Sequence, residues 1–350
     1  MAITNKFLFN FAASYSGGGL KRLHEYARRF NGAGGAYFII HRHCEWLKET
    51  FPNNWYYVSK LPKIQRIFND CKYLNAVKKE IGVPDLYYSY GIPLYFRLGI
   101  INWFHLSNVL PLGTRGIPLP LYDRFSLGFL GWQIKRNFHN ADVISAESIF
   151  SLGLIGSEQD AKKVLSVNGS DDELAYLGTR YVQSKDNIAV VLGTHKYKAL
   201  EDSWRVFKML RTKHQHLKLV IVGNEKYIPS RLKQDKSVII AGLVPRSEVM
   251  IYLQKAAYYI STTYIENSYN AAAEGIFCAD ESFVSDIGPH RELLKDIPFR
   301  QIAIPEMSRP MLNVRRESVS GTNLRTWESV ITDMIVRFRN ELRRRPAKAG

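Results

Sequence analysis

Glu266 and Glu274 stand with seven residues between them in the segment STTYIENSYNAAAEG, bracketed by small and polar residues. A carboxylate can accept two hydrogen bonds at once, so each suits a diol or a sugar hydroxyl. An eight-residue offset along a helix spans roughly 12 Å, about the run of a nucleotide-sugar from sugar to ribose. Upstream, AAYYIST (256–262) is a β-branched and aromatic run with the pattern of a buried strand. Downstream, Asn270, Ala271, Ala272, Ala273 and Glu274 read as the first turns of a helix. Asn267 and Ser268 are its expected N-caps, since their side-chain oxygens can accept from free backbone N–H groups. Glu266 is thus expected on the loop leaving a strand and Glu274 inside the following helix. The amides at such a helix start carry positive potential suited to a diphosphate between the two acids.

Other residues could share this chemistry. VVLGTHKYKALEDSWRVFKML ends a strand at Gly193 and starts a helix near Lys198, which puts Lys196 and Lys198 on a strand-end loop. Preorganised cations there would stabilise the charge that develops on a departing nucleoside diphosphate; a solvated lysine pair is the plainer reading. Ser16-Gly17-Gly18-Gly19 lies between the first strand and a helix over 20–30. It admits close approach of a phosphate or serves as a tight turn, but matches neither the dinucleotide nor the P-loop pattern. His105 closes the strand-like segment INWFHLS and could donate to a sugar hydroxyl, or be a satisfied core histidine. Asp171-Asp172-Glu173 reads as a solvated acidic turn rather than a metal site.

The elements that must position these residues alternate along the chain. Strand candidates KFLFNFAA, AYFIIHR, DLYYSY, INWFHLS and ADVISA are followed by NIAVVLG, LKLVIVG, SVIIAG, AAYYIST and SFVSD, with helical stretches such as 20–30 and 68–82 between them. This predicts an α/β fold of two doubly wound parallel sheets, with ligands at the carboxyl ends of strands. The polar stretch after residue 168 marks the expected break. The domains are then 1–168, a linker over 169–186, a second domain over 187–324 and a terminal helix and tail over 325–350.

Composition narrows the classes. At 350 residues and 46% hydrophobic, the chain is long enough for two globular domains. Cys44, Cys71 and Cys278 lie far apart with no CxxC, which suggests neither a disulfide framework nor a zinc site and fits a reducing compartment. No apolar run approaches a membrane span. The start, MAITNKFLFNFAASYSGGG, reads as a first strand rather than a signal peptide because Asn10 interrupts its apolar stretch. The net charge of +16 concerns partners rather than fold. In the last fourteen residues six cations face one carboxylate, Glu341, after an amphipathic stretch. That end could meet an anionic membrane surface, or pack on the body with a solvated tail. A nucleic-acid role has only the charge behind it, with no zinc spacing, RNP motif or helix-turn-helix signal.

The ordered set of motifs resembles the retaining family 4 glycosyltransferases of GT-B fold. Glu266 through Glu274 matches their Glu-x7-Glu motif. GIFCADESFVSDIGPHRELL (275–294) is similar to the helix, strand and Ser-Asp-x-Gly loop that follow it, and SVIIAGLVPRSEVMIYLQKAAYYIST to the stretch before. ADVISAE (141–147), KKVLSVNGSDDE (162–173) and the Trp327-Glu328 helix complete the order. The resemblance implies that Glu274 binds the ribose diol and Glu266 the donor sugar, while amides around Ser268, Tyr269, Asn270 and Ala271 hold the distal phosphate. Lys198 matches the phosphate lysine, Gly17, Gly18 and Gly19 the first-domain glycine loop, and His105 a first-domain histidine that contacts the transferred sugar. Leu243 and Val244 fall on the base-binding loop.

Three positions depart from the pattern. Thr194 stands where the family has an arginine, with Lys196 nearby to replace its charge. Asn267-Ser268-Tyr269 replaces Gly-Phe-Gly, and Asp280-Glu281 an apolar or Gly-Pro pair. The implied activity is retaining, metal-independent and cofactor-free transfer of a sugar from a nucleoside-diphosphate donor to a glycan or glycolipid. The implied setting is bacterial surface-polysaccharide synthesis (O-antigen or capsule), in the cytoplasm or peripheral on the inner membrane. The rival is an inactive GT-B-like binding or scaffold protein.

Overall fold

The computed structural model describes residues 5–60, 63–114, 116–156, 161–170, 185–319 and 325–345. The chain divides into two compact units, one of Met1–Leu112, Phe125–Gly169 and Trp327–Gly350, the other of Gly113–Arg124 and Ser170–Thr326. Residues 171–184, including the acidic turn, lie outside the described residues.

The first unit is built on β1 (Phe7–Asn10), β2 (Tyr37–His41), β3 (Trp55–Ser59), β4 (Leu86–Tyr90), β5 (Ile101–Leu106), β6 (Val143–Ala146) and β7 (Lys162–Leu165). All are parallel, in the order β3-β2-β1-β4-β5-β6-β7. Every residue of β1, β4 and β5 is buried, because helices cover both faces of a parallel sheet. The helices are α1 (Gly17–Gly32), α2 (Leu47–Thr50), α3 (Lys63–Ile81), α4 (Leu121–Arg136), whose first turn up to Arg124 belongs to the other unit, and α5 (Ile149–Gly153). The core is aromatic: Phe9 lies 4.8 Å from Phe30, 5.2 Å from Phe38 and 5.3 Å from Tyr26 between ring centroids.

The second unit has β8 (Asp186–Leu192), β9 (Lys218–Val222), β10 (Val238–Gly242), β11 (Ala256–Ser261), β12 (Glu281–Ser285), β13 (Arg300–Ile302) and β14 (Met311–Arg315). Their order is β10-β9-β8-β11-β12-β14-β13, parallel as far as β12 and antiparallel thereafter. Its helices are α6 (Leu200–Lys213), α7 (Ser230–Lys233), α8 (Arg246–Lys255), α9 (Asn270–Cys278) and α10 (Gly288–Leu293). In each sheet the connection order reverses once, between β1 and β4 and between β8 and β11, which opens a crevice at the strand carboxyl ends.

The last helix, α11 (Trp327–Arg344), packs in the first unit's core through Trp327, Val330, Ile331, Met334 and Phe338. Its apolar face is therefore occupied, and the packed reading of that amphipathic segment holds. Among the described residues no helix is long and apolar enough to cross a membrane.

Candidate functional site

In the second unit the switch point between β8 and β11 is where the sequence-selected residues meet. The chain leaves β8 through Gly193, whose φ of +88° favours glycine. A Cβ there would stand 3.2 Å from Lys198 Cε, so the bare backbone leaves a track for the lysine stem. The turn then closes through Ala199 in the left-handed region, at φ +50°. The loop leaving β11 is tied to this turn: Tyr264 N–H donates to Tyr197 O at 2.8 Å and Thr262 Oγ1 to Ala199 O at 2.8 Å. These bonds bring Glu266 to Lys198, Nζ to Oε1 at 2.5 Å, with both side chains largely buried. Burial alone would lower the Lys198 ammonium, but the adjacent Glu266 carboxylate outweighs it and holds the group above its ordinary range.

Glu274 sits within α9, buried except for 8% of its surface, and its carboxylate takes Arg246 Nη1 at 2.5 Å from the first turn of α8. The helix is seated by close approach to β11: a Cβ at Gly275 would overlap the Tyr259 ring. Gly275→Ala is therefore expected to lower stability by about 1–3 kcal/mol through overpacking, read as a shifted midpoint in urea. An unchanged midpoint would show that α9 can slide.

The expected caps differ. The helix begins at Asn270 with Tyr269 in the cap position and no side-chain cap, while Ser268 Oγ donates to Asn270 Oδ1 at 3.1 Å. The helix starts later than the two polar residues, which leaves Asn267 and Ser268 in the loop before the cap position. Ser268, Tyr269, Asn270 and Ala271 thus surround a helix start that has no side-chain cap from Tyr269.

The remaining positions separate. Lys196 is exposed, one turn from Lys198. Thr194 is buried and donates from Oγ1 to Asn224 O at 2.9 Å, so it closes the turn rather than presenting charge. Val244 packs against the unit's core, whereas Leu243 beside it is 79% exposed. Asp280 and Glu281 have structural partners, Lys185 Nζ at 3.8 Å and Asn313 Nδ2 at 2.8 Å. Gly18 is exposed and Gly19 half-buried at the start of α1; a Cβ on Gly19 would crowd Ser14 at 3.2 Å and Tyr90 at 3.3 Å. Among the described residues no group of His, Cys, Asp and Glu could hold a metal ion.

His105, expected to contact the transferred sugar, has a fully buried side chain. Every residue of β5 is covered, so a histidine there has no face to solvent. Arg22 donates from Nη1 to His105 Nε2, which leaves the ring proton on Nδ1, 2.7 Å from Ser145 Oγ. The same guanidinium reaches Glu147 Oε1 at 3.3 Å and Ser166 Oγ at 3.0 Å, and Tyr90 Oη donates to Glu147 at 3.0 Å. Burial, and then the Arg22 charge, push the imidazole down to about 4.

An unfolded histidine titrates near 6.5, so between about pH 6.5 and 4 the unfolded chain binds a proton that the folded chain refuses. Stability should fall as pH drops through that window, by about 3 kcal/mol at most, and His105→Asn should flatten the dependence. Urea midpoints at pH values across the window measure both; parallel profiles would exclude His105 as their source.

Three residues were not legible beforehand. Arg246 partners Glu274, Arg22 organises the first unit's polar core, and His290 is buried in α10, with Nδ1 donating to Ser285 O at 2.8 Å. Among so many basic residues, none had a local signal to separate it from surface charge.

No family model matches the sequence, and no curated protein is similar to it at the sequence level. Solved structures are similar in fold. Sucrose-phosphate synthase from Thermosynechococcus elongatus has a TM-score of 0.65 at 11% identity, over 97% of this chain and 99% of that one. The α,α-trehalose 6-phosphate synthase of Burkholderia multivorans gives 0.60 at 9%, over 99% and 100%. Anabaena HepE, solved with UDP-glucose, gives 0.56 at 12%, over 97% and 98%. Identities this low establish architecture alone. The fold is GT-B, two Rossmann-like α/β domains each on a seven-stranded sheet.

Proposed function

We propose that this chain is a glycosyltransferase that moves a sugar from a nucleoside-diphosphate donor to a carbohydrate or lipid-linked oligosaccharide hydroxyl, with retention, without metal or cofactor. The observation that carries it is the Lys198–Glu266 pair at the β8/β11 switch point, with the uncapped start of α9 directly after it. In this reading the second unit binds the donor. The α9 amides and Lys198 take the diphosphate, Glu266 positions the sugar, and Glu274, steadied by Arg246, accepts from the ribose hydroxyls. Lys196 supports the phosphate from outside, and the Leu243–Val244 loop borders the base. The bond from the anomeric carbon to phosphate breaks and the acceptor oxygen bonds on the same face, its proton passing to the leaving phosphate. The first unit receives the acceptor, and His105 acts as a positioning residue through Arg22 and Glu147. Surface-polymer synthesis at the inner membrane is the setting this chemistry suits.

UDP-glucose, the ligand solved with HepE, is the first probe in a thermal-shift screen that continues through other nucleotide-sugars. A donor at a hundred times its Kd should stabilise the chain by about 2.7 kcal/mol, and Glu274→Ala should abolish the shift. Stabilisation that persists in Glu274→Ala overturns the ribose assignment. Donor binding without turnover or hydrolysis selects the inactive scaffold instead.

A further inference from the structure

Helix α4 carries a surface that the donor chemistry does not use. Leu121, Phe125, Phe129 and Trp132 recur at i, i+4, i+8 and i+11, one stripe of an α-helix, and are 84%, 80%, 41% and 51% exposed. Tyr122 beside them is 78% exposed. What the helix buries is Gly131, Gln133 and Ile134, with Gly131 set against the Pro111 carbonyl where a Cβ would not fit. The helix is therefore apolar on both faces: Ile134 with the half-buried Leu127 and Leu130 turns toward the protein and the aromatic stripe toward solvent, where an ordinary surface helix is polar. A contiguous patch of this kind marks a surface that something covers.

Charge indicates the occupant. Arg124, Lys135 and Arg136 flank the stripe, Asp123 is the helix's one acid, and the chain carries +16. Arg136 lies over the Trp132 ring, 5.1 Å from its centroid. Just past the helix Arg97 and Arg345 converge on Asp142, which brings one cation of the terminal basic segment to this residue. Tryptophan and tyrosine favour the headgroup layer of a bilayer, and arginine and lysine can bury their stems beside them while their charges meet lipid phosphates. A second copy of this chain would oppose like-charged helices, and a nucleic acid would leave the apolar stripe in water.

We propose that α4 docks the protein on an anionic lipid bilayer, its aromatic stripe entering the boundary between headgroups and acyl chains and its cations meeting the lipid phosphates. This stands apart from the glycosyltransferase reading. The face of α11 is not the contact, since its apolar side chains are spent in the core.

Flotation of the full chain tests it, using vesicles of one part phosphatidylglycerol to two parts phosphatidylcholine. The chain should float with these, stay behind with phosphatidylcholine alone, and lose binding as salt is raised. Phe125→Ser combined with Trp132→Ser should weaken binding about tenfold or more, and Lys135→Glu with Arg136→Glu should do the same at exposed positions while every stripe side chain is kept. Failure of the parent chain to bind the mixed vesicles, or undiminished binding by both variants, overturns the proposal. So does a dimer in sedimentation velocity that the Phe125/Trp132 variant dissociates, which gives the stripe to a second copy. The nucleotide-sugar thermal shift should be equal in all these variants, so vesicle binding and donor binding fail or succeed separately.

Discussion

Lys198→Ala should lower kcat/KM for the donor by about 10²–10³-fold, while Lys196→Ala, two residues away, should change it by less than about fivefold. The difference rests on position. Lys198 is held by its stem over Gly193, by the bonds between the β8 and β11 loops, and by Glu266. A cation fixed before the reaction begins costs no reorganisation when charge appears on the leaving phosphate. Lys196 is exposed, so its attraction is diluted by water and side-chain freedom. The measurement is nucleotide release from whichever donor stabilises the chain most. Equal effects of the two substitutions would place the phosphate elsewhere. Removing Lys198 also frees Glu266, so Glu266→Gln in the Lys198→Ala background separates loss of the cation from release of the acid.

The second large effect concerns stability. Arg22→Met should destabilise the fold by about 3–5 kcal/mol, because it leaves Glu147 buried with its charge uncompensated. Arg22 is fully buried, and its guanidinium is ringed by Tyr26, Tyr90 and Trp327 with centroids 5.5–5.8 Å from its carbon. Its Nε–H has no partner among the described residues, a cost that the cluster already carries. Replacing both charges with apolar groups, Arg22→Met with Glu147→Leu, should therefore recover much of the loss. Urea denaturation of the two single variants and the double variant forms the cycle. Additive losses would mean that the two residues are independent and that the cluster is not one unit. Since α11 contributes Trp327 to the same packing, these variants should also loosen the terminal helix.

Strand positions were legible because parallel strands are covered on both faces, so FLFN, LYYSY and VVL stand out as continuous apolar or aromatic runs. The placement of Glu266 on a strand exit and of Glu274 in a short helix followed from spacing and small residues, both local properties. The cap at Asn267 or Ser268 did not follow, because the path of that loop depends on long-range bonds, Tyr264 and Thr262 to the 197–199 turn, that local spacing does not contain. Pairing was hidden altogether. Lys198 meets Glu266 across 68 positions, Arg246 meets Glu274 across 28, and Arg22 meets Glu147 across 125; no periodicity reaches so far.

The chain's own order of residues determined periodicity, the alternation of elements, and which side chains could do chemistry. Tertiary structure decided what each side chain faces. His105 has the composition of a site residue and lies in the core, while the stripe of α4 has the spacing of a core face and lies in solvent. Hydrophobic spacing defines a face on a helix or strand, and only the packing of the neighbouring elements determines whether that face turns inward.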